Sequence, residues 1–286
     1  MTTTDTPSFL PEALCFRPRE ALVDIGANLT HESFERDLDA VIERAQAANV
    51  TTMIVTGTDL AHAEQAVALA KRFPGLYATA GVHPHDASGW SNELARQMAA
   101  LHKAPAVVAV GECGLDFNRN FSTPAEQEKA FEAQLSLAAE SGLPLFLHER
   151  DAGARMREIL KAWRDDISKA VIHCFTGEAQ TLYGYLDLDL HIGLTGWICD
   201  ERRGHHLRPL CKDIPLNRLM LETDCPYLLP RNLPAKLKGR RHEPALLPWI
   251  SREIAHWAGV EEETLINETT RTARRFFNLD SALKEN

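Results

Sequence analysis

Glu112, His148, His173 and Asp224 share one placement: each stands where a short apolar run gives way to polar residues. Val107-Val108-Ala109-Val110 leads through Gly111 to Glu112, and Leu145-Phe146-Leu147 leads to His148. Ala170-Val171-Ile172 leads to His173, and Leu219-Met220-Leu221 leads through Glu222-Thr223 to Asp224. A fifth run, from Tyr77 to Ala80, empties into His83 and His85. Imidazole nitrogen and carboxylate oxygen without thiolate form a donor set for Zn²⁺, Mn²⁺ or Mg²⁺. Two histidines and one glutamate hold an ion and leave positions open for water and substrate. Singly, each residue has a plainer use, as a surface hydrogen-bond partner, a helix cap or an arginine's counter-charge. Recurrence of one placement makes the set a candidate site. Cys113, Cys174 and Cys225 stand beside these residues and are read as small packing side chains.

The elements that must position such a set alternate along the chain. Runs at 21–26, 51–55, 77–85, 107–112, 143–148, 170–173, 190–195 and 219–224 read as strands, several of them short and apolar on both faces as in a parallel sheet. Gly111 and Gly114 are expected to turn the backbone where the fourth strand ends. Helical spacing marks 30–49, 60–73, 91–103, 154–163, 178–186, 204–211, 244–257 and 261–278. The best signalled helix has Thr123 at its N-cap, Pro124 at the first position, Glu126 completing a capping box and Gly142 after its end. Eight strands alternating with helices is the α/β pattern of the (β/α)8 TIM barrel, whose strands all end on one face. The expected organisation is a single barrel domain over 20–280, preceded by a flexible N-terminal extension over 1–19.

Composition narrows the class. The chain has 286 residues, 44% of them hydrophobic and 25% charged, as in a soluble protein with a sizeable core. A net charge of -9 argues against broad attraction to nucleic acid but leaves room for a local basic strip. Between Tyr227 and His242 such a strip runs through Arg231, Lys236, Lys238, Arg240 and Arg241, while Arg202 and Arg203 follow the seventh strand. Barrels frequently bind phosphate after strands seven and eight, so the strip points to a phosphorylated substrate. Trp197 and Tyr227 are candidates for stacking on bases. Six cysteines without paired spacing, no signal peptide and no membrane-length apolar stretch point to a cytoplasmic protein with no membrane partner. A monomer is expected.

Gly81-Val82-His83-Pro84-His85, the Gly111–Asp116 segment, Leu147-His148, His173-Cys174-Phe175-Thr176-Gly177 and the Glu222–Tyr227 segment resemble, in order, the signatures of TatD-type metal-dependent deoxyribonucleases. Asp24-Ile25-Gly26-Ala27-Asn28, the 116–120 segment and the 199–203 segment extend the resemblance, which runs from about Val23 to Phe277. It implies a TIM barrel and a 3′–5′ exonuclease on single-stranded DNA or RNA, used in repair after oxidative damage. It also implies one metal site of Glu112, His148 and His173, and a second of which only Glu112 and Asp224 remain. Many relatives carry Asp-x-His-x-His in strand one, where this chain has Gly26 and Asn28. A second ion would then arrive with the substrate phosphate.

The expectation is metal-assisted phosphodiester hydrolysis, with Mg²⁺ first among the candidate ions and Mn²⁺ or Zn²⁺ behind it. Asp224 would take the attacking water's proton or complete the metal shell. His83 and His85 would meet the scissile phosphate or the leaving oxygen, and Arg202, Arg203, Arg231 and Arg240 would hold flanking phosphates. Two alternatives stay open: an amidohydrolase-like enzyme cleaving a small ester, an amide or an aminoacyl-tRNA ester, and a non-catalytic binding protein on a degenerate barrel.

Overall fold

The computed structural model describes residues 10–279. Strands β1 (Leu22–Ala27), β2 (Val50–Val55), β3 (Leu76–Ala80), β4 (Val107–Asp116), β5 (Leu145–Arg150), β6 (Ala170–Ile172), β7 (His191–Leu194) and β8 (Leu219–Leu221) lie side by side in chain order, every adjacent pair parallel. Between and after them run α1 (Leu38–Ala47), α2 (Leu60–Arg72), α3 (Asn92–Leu101), α4 (Pro124–Ser141), α5 (Gly153–Trp163), α6 (Ala179–Asp187), α7 (Leu207–Leu210), α8 (Leu247–Ala258) and α9 (Glu262–Phe276). Eight parallel strands in chain order, with a helix between each and the next and two helices after β8, are the expected barrel.

Closure between β8 and β1 is made differently from the other seams. A single parallel bridge joins Ala27 to Cys225, and Asp224 N and Asn28 N donate across the gap to Gly26 O and Cys225 O, both at 2.8 Å. The buried Asp24 carboxylate supplies the rest: it accepts from Thr223 N at 2.9 Å and from Thr223 Oγ1 at 2.6 Å.

The interior of the barrel is filled by Val23, Ile25, Ile54, Val108, Phe146, Val171 and Met220, and is joined at one end by Ala273, Phe276 and Phe277 of the α9 region. A larger apolar layer packs the helices onto the outside of the sheet. The α4 signals are realised in full, with the reciprocal Thr123–Glu126 capping box and a left-handed Gly142.

Three expectations need correction. β4 does not end at its glycines. It continues to Asp116, with a register shift between Val110 and Cys113 against β5, so Gly111 and Gly114 kink the strand and turn Glu112 inward. At Gly111 only glycine fits, because φ is +140° and a Cβ there would lie 2.1 Å from Phe146 O. The segment read as a strand through His85 leaves the sheet at Ala80 and becomes a 3₁₀ turn over Pro84–Gly89, with the His83 side chain accepting from His85 N. The N-terminal extension is docked from residue 10 onward: Leu10 and Leu14 are buried, Phe16 packs on Trp249 and Asn49 Nδ2 donates to Pro18 O and Arg19 O. Apolar side chains in that stretch supply the reason, and residues 1–9 lie outside the described part of the chain.

Candidate metal centre and active site

All the strand-end residues meet at the carboxyl-terminal mouth, around a cavity of about 650 Å³ whose lining includes His83, His85, Glu112, His148, His173 and Asp224. Glu112 is the hub. Its N–H is tied to Gly57 O at 2.9 Å, and its Oε1 lies 2.9 Å from His148 Nδ1, 2.7 Å from His173 Nε2 and 3.4 Å from His83 Nε2. The three imidazoles come from β3, β5 and β6 or the turns directly after them, so the strand ends alone fix the geometry. His83, Glu112 and His148 offer one ligand atom each within 4.8 Å of one another. This compact group has His83 where the expected trio has His173, although His173 also reaches Glu112 Oε1, at 2.7 Å.

Charge in the cluster centres on the Glu112 carboxylate. Burial works to raise the Glu112 carboxyl, but the charges of His173 and His83 and hydrogen bonds from His148 and His173 outweigh it and hold it well below the usual carboxylate range. The same carboxylate works the other way on the rings: burial lowers His173, yet Glu112 and Glu222 drive it well above an ordinary histidine. Burial likewise opposes protonation of His148, and its hydrogen bonds to Asp116 and Glu112 win. His83 is left neutral-leaning, because burial dominates there. Two contacts around this set are long: His173 Nδ1 lies 3.4 Å from Glu222 Oε2, and His148 Nε2 lies 3.3 Å from Asp116 Oδ2. The imidazole nitrogens and carboxylate oxygen of His83, Glu112 and His148 are a donor set that fits a divalent ion with its water.

Asp224 sits across the cavity in a left-handed conformation, φ +54°, its Oδ1 accepting from Asn28 Nδ2 at 3.0 Å. Burial, partly offset by His173, pushes its carboxyl up to about 7. Asn28 is thus the orienting partner of Asp224. The other strand-one position, Gly26, has a neighbour that leaves it no room: a Cβ there would lie 2.4 Å from Oε2 of the buried Glu222. His85 hydrogen-bonds through Nε2 to Asp116 Oδ2 at 2.8 Å, and Asp116 Oδ1 accepts from Asn118 N and Arg119 N, which shapes the loop after β4.

The basic strip is the part of the sequence expectation that changes most. Arg203 lines the cavity, but Arg202 and Arg231 do not: both are drawn to Asp200, at 3.8 Å and 4.0 Å. Arg203 itself is 2.9 Å from the same carboxylate, so one acidic residue quenches much of the strip. Arg240 is exposed outside the cavity lining, and Arg241 is bound to Asp37 at 2.7 Å. Charge counted along a loop does not reveal where an aspartate folds back among the arginines. The cationic side chains facing the cavity without an ion pair among the described residues are Arg119, after β4, and Arg150, at the end of β5. Arg150 stands two residues beyond His148, which was the available signal. Trp197 carries Arg203 over its ring at 4.3 Å and Arg150 at 5.9 Å, so it steers guanidinium groups and is not an open stacking face. The cysteines are all free. Burial pushes up the thiols of Cys113, Cys174 and Cys225, as expected of packing residues.

Comparison with known proteins agrees with this geometry. Residues 23–278 match the family model described as TatD related DNase. A 3′–5′ ssDNA/RNA exonuclease TatD of Klebsiella pneumoniae is 53% identical over 259 residues, covering 91% of this chain and 98% of that protein. The exonuclease of the same name from Enterobacter lignolyticus is 54% identical over 258 residues, covering 90% and 99%. Among solved structures, YJJV, a TatD homologue of Escherichia coli K12, superposes with a TM-score of 0.83 at 26% identity, covering 90% of this chain and 98% of that one. Among the described residues, no helix is long and apolar enough to cross a membrane. The match over nearly the whole barrel and the close kinship to named members lead to one assignment: the chain belongs to the family of TatD related DNases.

Proposed function

We propose that this protein is a divalent-metal-dependent 3′–5′ exonuclease that hydrolyses terminal phosphodiester bonds of single-stranded DNA or RNA, acting as a cytoplasmic monomer with Mg²⁺ as its first-choice ion. The observation that carries the reading is the sharing of Glu112 Oε1 by His148, His173 and His83 on the wall of a cavity open to a polymer end. Kinship with exonucleases of that name sets the substrate class.

A cation held by His83, Glu112 and His148, with His173 against the same carboxylate, would supply Lewis-acid polarisation of a phosphoryl oxygen and of a water. The chain's own groups do the rest. Asp224, raised to about 7 and oriented by Asn28, is matched to accept a proton from the attacking water near neutral pH. As the water oxygen bonds to phosphorus, the bond to the leaving sugar oxygen breaks and that oxygen takes up a proton from solvent water. His83 is committed to the ion on one ring nitrogen and to His85 N on the other, while His85 stands on the strand-three side, where the scissile phosphate and the departing oxygen can be met. Arg119 and Arg150 face the cavity and bind flanking phosphates. Trimming of 3′ ends suits repair after oxidative damage, and peroxide sensitivity of a deletion strain checks that role.

The direct test is digestion of a 5′-labelled single-stranded oligonucleotide with Mg²⁺, Mn²⁺ or EDTA, with Glu112→Ala alongside. A metal-dependent ladder shortening from the 3′ end, missing in the variant, is expected. An oligonucleotide left intact under every ion would overturn the reading.

A further inference from the structure

Phe121 is the most exposed large apolar side chain among the described residues, at 68%. Its position is imposed by the loop that carries it. Asp116 Oδ1 accepts from Asn118 N and Arg119 N, Asn120 Nδ2 donates to Phe117 O, and Ser122 Oγ donates to His85 O. Gln127, buried on α4, grips both ends of the loop through Asp116 O and Ser122 O. With its neighbours fixed on both sides, the Phe121 ring is held beside His85, just outside the residues that line the cavity. It touches the site at one place: it stands perpendicular to the His85 ring at 4.8 Å between centroids. His85 in turn packs on His83 at 4.2 Å, and His83 faces Glu112. Two ring contacts therefore separate Phe121 from the carboxylate at the centre of the chemistry.

A single exposed ring needs no explanation by itself. What gives this one a meaning is what stands beside it. Arg119, two residues earlier, faces the cavity without an ion pair among the described residues. An aromatic face beside such a guanidinium group suits a nucleotide, whose base stacks while its phosphate is neutralised. Resting on the exonuclease reading above, we propose that Phe121 is a base-stacking platform that seats one nucleotide near the 3′ end of the substrate and makes an unpaired strand necessary. A base in a duplex must first leave its own stack to reach the ring, which a single strand does at low cost. Tyr227, 52% exposed on the opposite side of the barrel after β8, lines the cavity and bounds the same strand from the other wall.

The test separates this subsite from the exonuclease reading. Binding of a 5′-fluorescent single-stranded oligonucleotide is followed by anisotropy in EDTA, so that no turnover is needed. A matched set carries one abasic nucleotide at each of the last four positions. Phe121→Ala is expected to weaken binding of the intact strand about 5- to 100-fold, the range of a lost base–aromatic stack. At one abasic position wild type should weaken by the same factor, with Phe121→Ala adding nothing there. Phe121→Trp should restore affinity. In turnover, Phe121→Ala should raise KM and leave kcat within about twofold. If Phe121→Ala binds intact and abasic strands as wild type does, or weakens all of them equally, the platform is overturned while the exonuclease reading stands. If wild type digests nothing, the exonuclease reading fails, and the anisotropy series still decides the platform.

Discussion

Asp24 of β1 and Thr223, two residues beyond β8, are joined by two hydrogen bonds from one residue to one carboxylate: Thr223 N at 2.9 Å and Thr223 Oγ1 at 2.6 Å. Elsewhere around the barrel, neighbouring strands are joined by runs of parallel pairs; here one bridge and this carboxylate hold the seam. Asn28 and Asp224 flank it, so whatever fixes the seam also fixes the proposed base.

That arrangement makes the seam pH-sensitive. Burial dominates the Asp24 carboxyl, and its hydrogen bonds from Thr223 and Gly26 only partly offset it, leaving the group raised to about 7. A carboxyl whose folded value is raised favours folding fully below its unfolded value, 3.8, and loses that contribution as pH rises towards the folded value. Asp24→Asn removes the titration while keeping an oxygen to accept from Thr223 N. Wild type should therefore lose stability relative to Asp24→Asn between about pH 4 and pH 7, with a constant difference above that. Urea midpoints of the two proteins across pH 3.5 to 8.5 measure it. Parallel curves would mean that Asp24 does not titrate in this range.

Glu112 and its imidazoles lead to a prediction about the ion that does not depend on turnover. Adding Mg²⁺ or Mn²⁺ to chelator-treated protein should raise Tm, since a ligand that binds only the folded state stabilises it by about 2.7 kcal/mol at a hundred times its Kd. His148→Ala and Glu112→Gln should abolish that rise. Asn28→Ala, which removes only the partner of Asp224, should keep the rise while lowering kcat, by about 10- to 100-fold if it acts as outer partners of catalytic sites do. Equal Tm rises in all four proteins would place the ion elsewhere.

Gly111 and Gly142 both have positive φ, but for different reasons, and they should respond differently to alanine. At Gly142, the left-handed end of α4, a Cβ meets nothing within 4 Å, so Gly142→Ala costs only the conformational penalty, about 1 kcal/mol. At Gly111 the Cβ would enter the backbone of β5, and Gly81 Cβ would meet Gly111 Cα at 2.5 Å, so two strands pack on that glycine. Gly111→Ala should cost at least about 3 kcal/mol, at the severe end of single substitutions. Denaturant unfolding of both variants checks the contrast. Because Gly111 sets the kink that delivers Glu112, the variant should also lose activity.

The barrel and the strand-end residues were legible because both depend on local pattern: short apolar runs, caps such as Thr123–Glu126, and polar residues at their ends. What was not legible depends on pairing at long range. Asp116 reads as one more acidic residue until the fold brings it against His85, and Glu222 until it meets His173 and Gly26. The β4 glycines read as a strand end because glycine is the residue that turns favour, and only the pairing of Leu115 and Asp116 with Glu149 and Arg150 carries the strand on. The pairing within the basic strip was hidden for the same reason: Asp200 lies near Arg202 and Arg203 in sequence, but its reach to Arg231 exists only in three dimensions.

That last point separates two sets of arginines that the sequence cannot distinguish. Each phosphate neutralised on a single strand contributes about -0.7 to the slope of log K against log salt. Arg119 and Arg150 face the cavity without an ion pair among the described residues, whereas Arg202 and Arg231 are drawn to Asp200 and Arg240 stands outside the lining. Arg119→Ala and Arg150→Ala should each reduce the salt slope of single-strand binding by about 0.7 and weaken binding to all sequences alike. Arg240→Ala should leave the slope unchanged. Asp200→Asn, which frees three guanidinium groups beside the cavity, should steepen it. Anisotropy titrations with a fixed oligonucleotide at several salt concentrations read all four variants. A slope that falls for Arg240→Ala and holds for Arg119→Ala would return the phosphate path to the loop after β8.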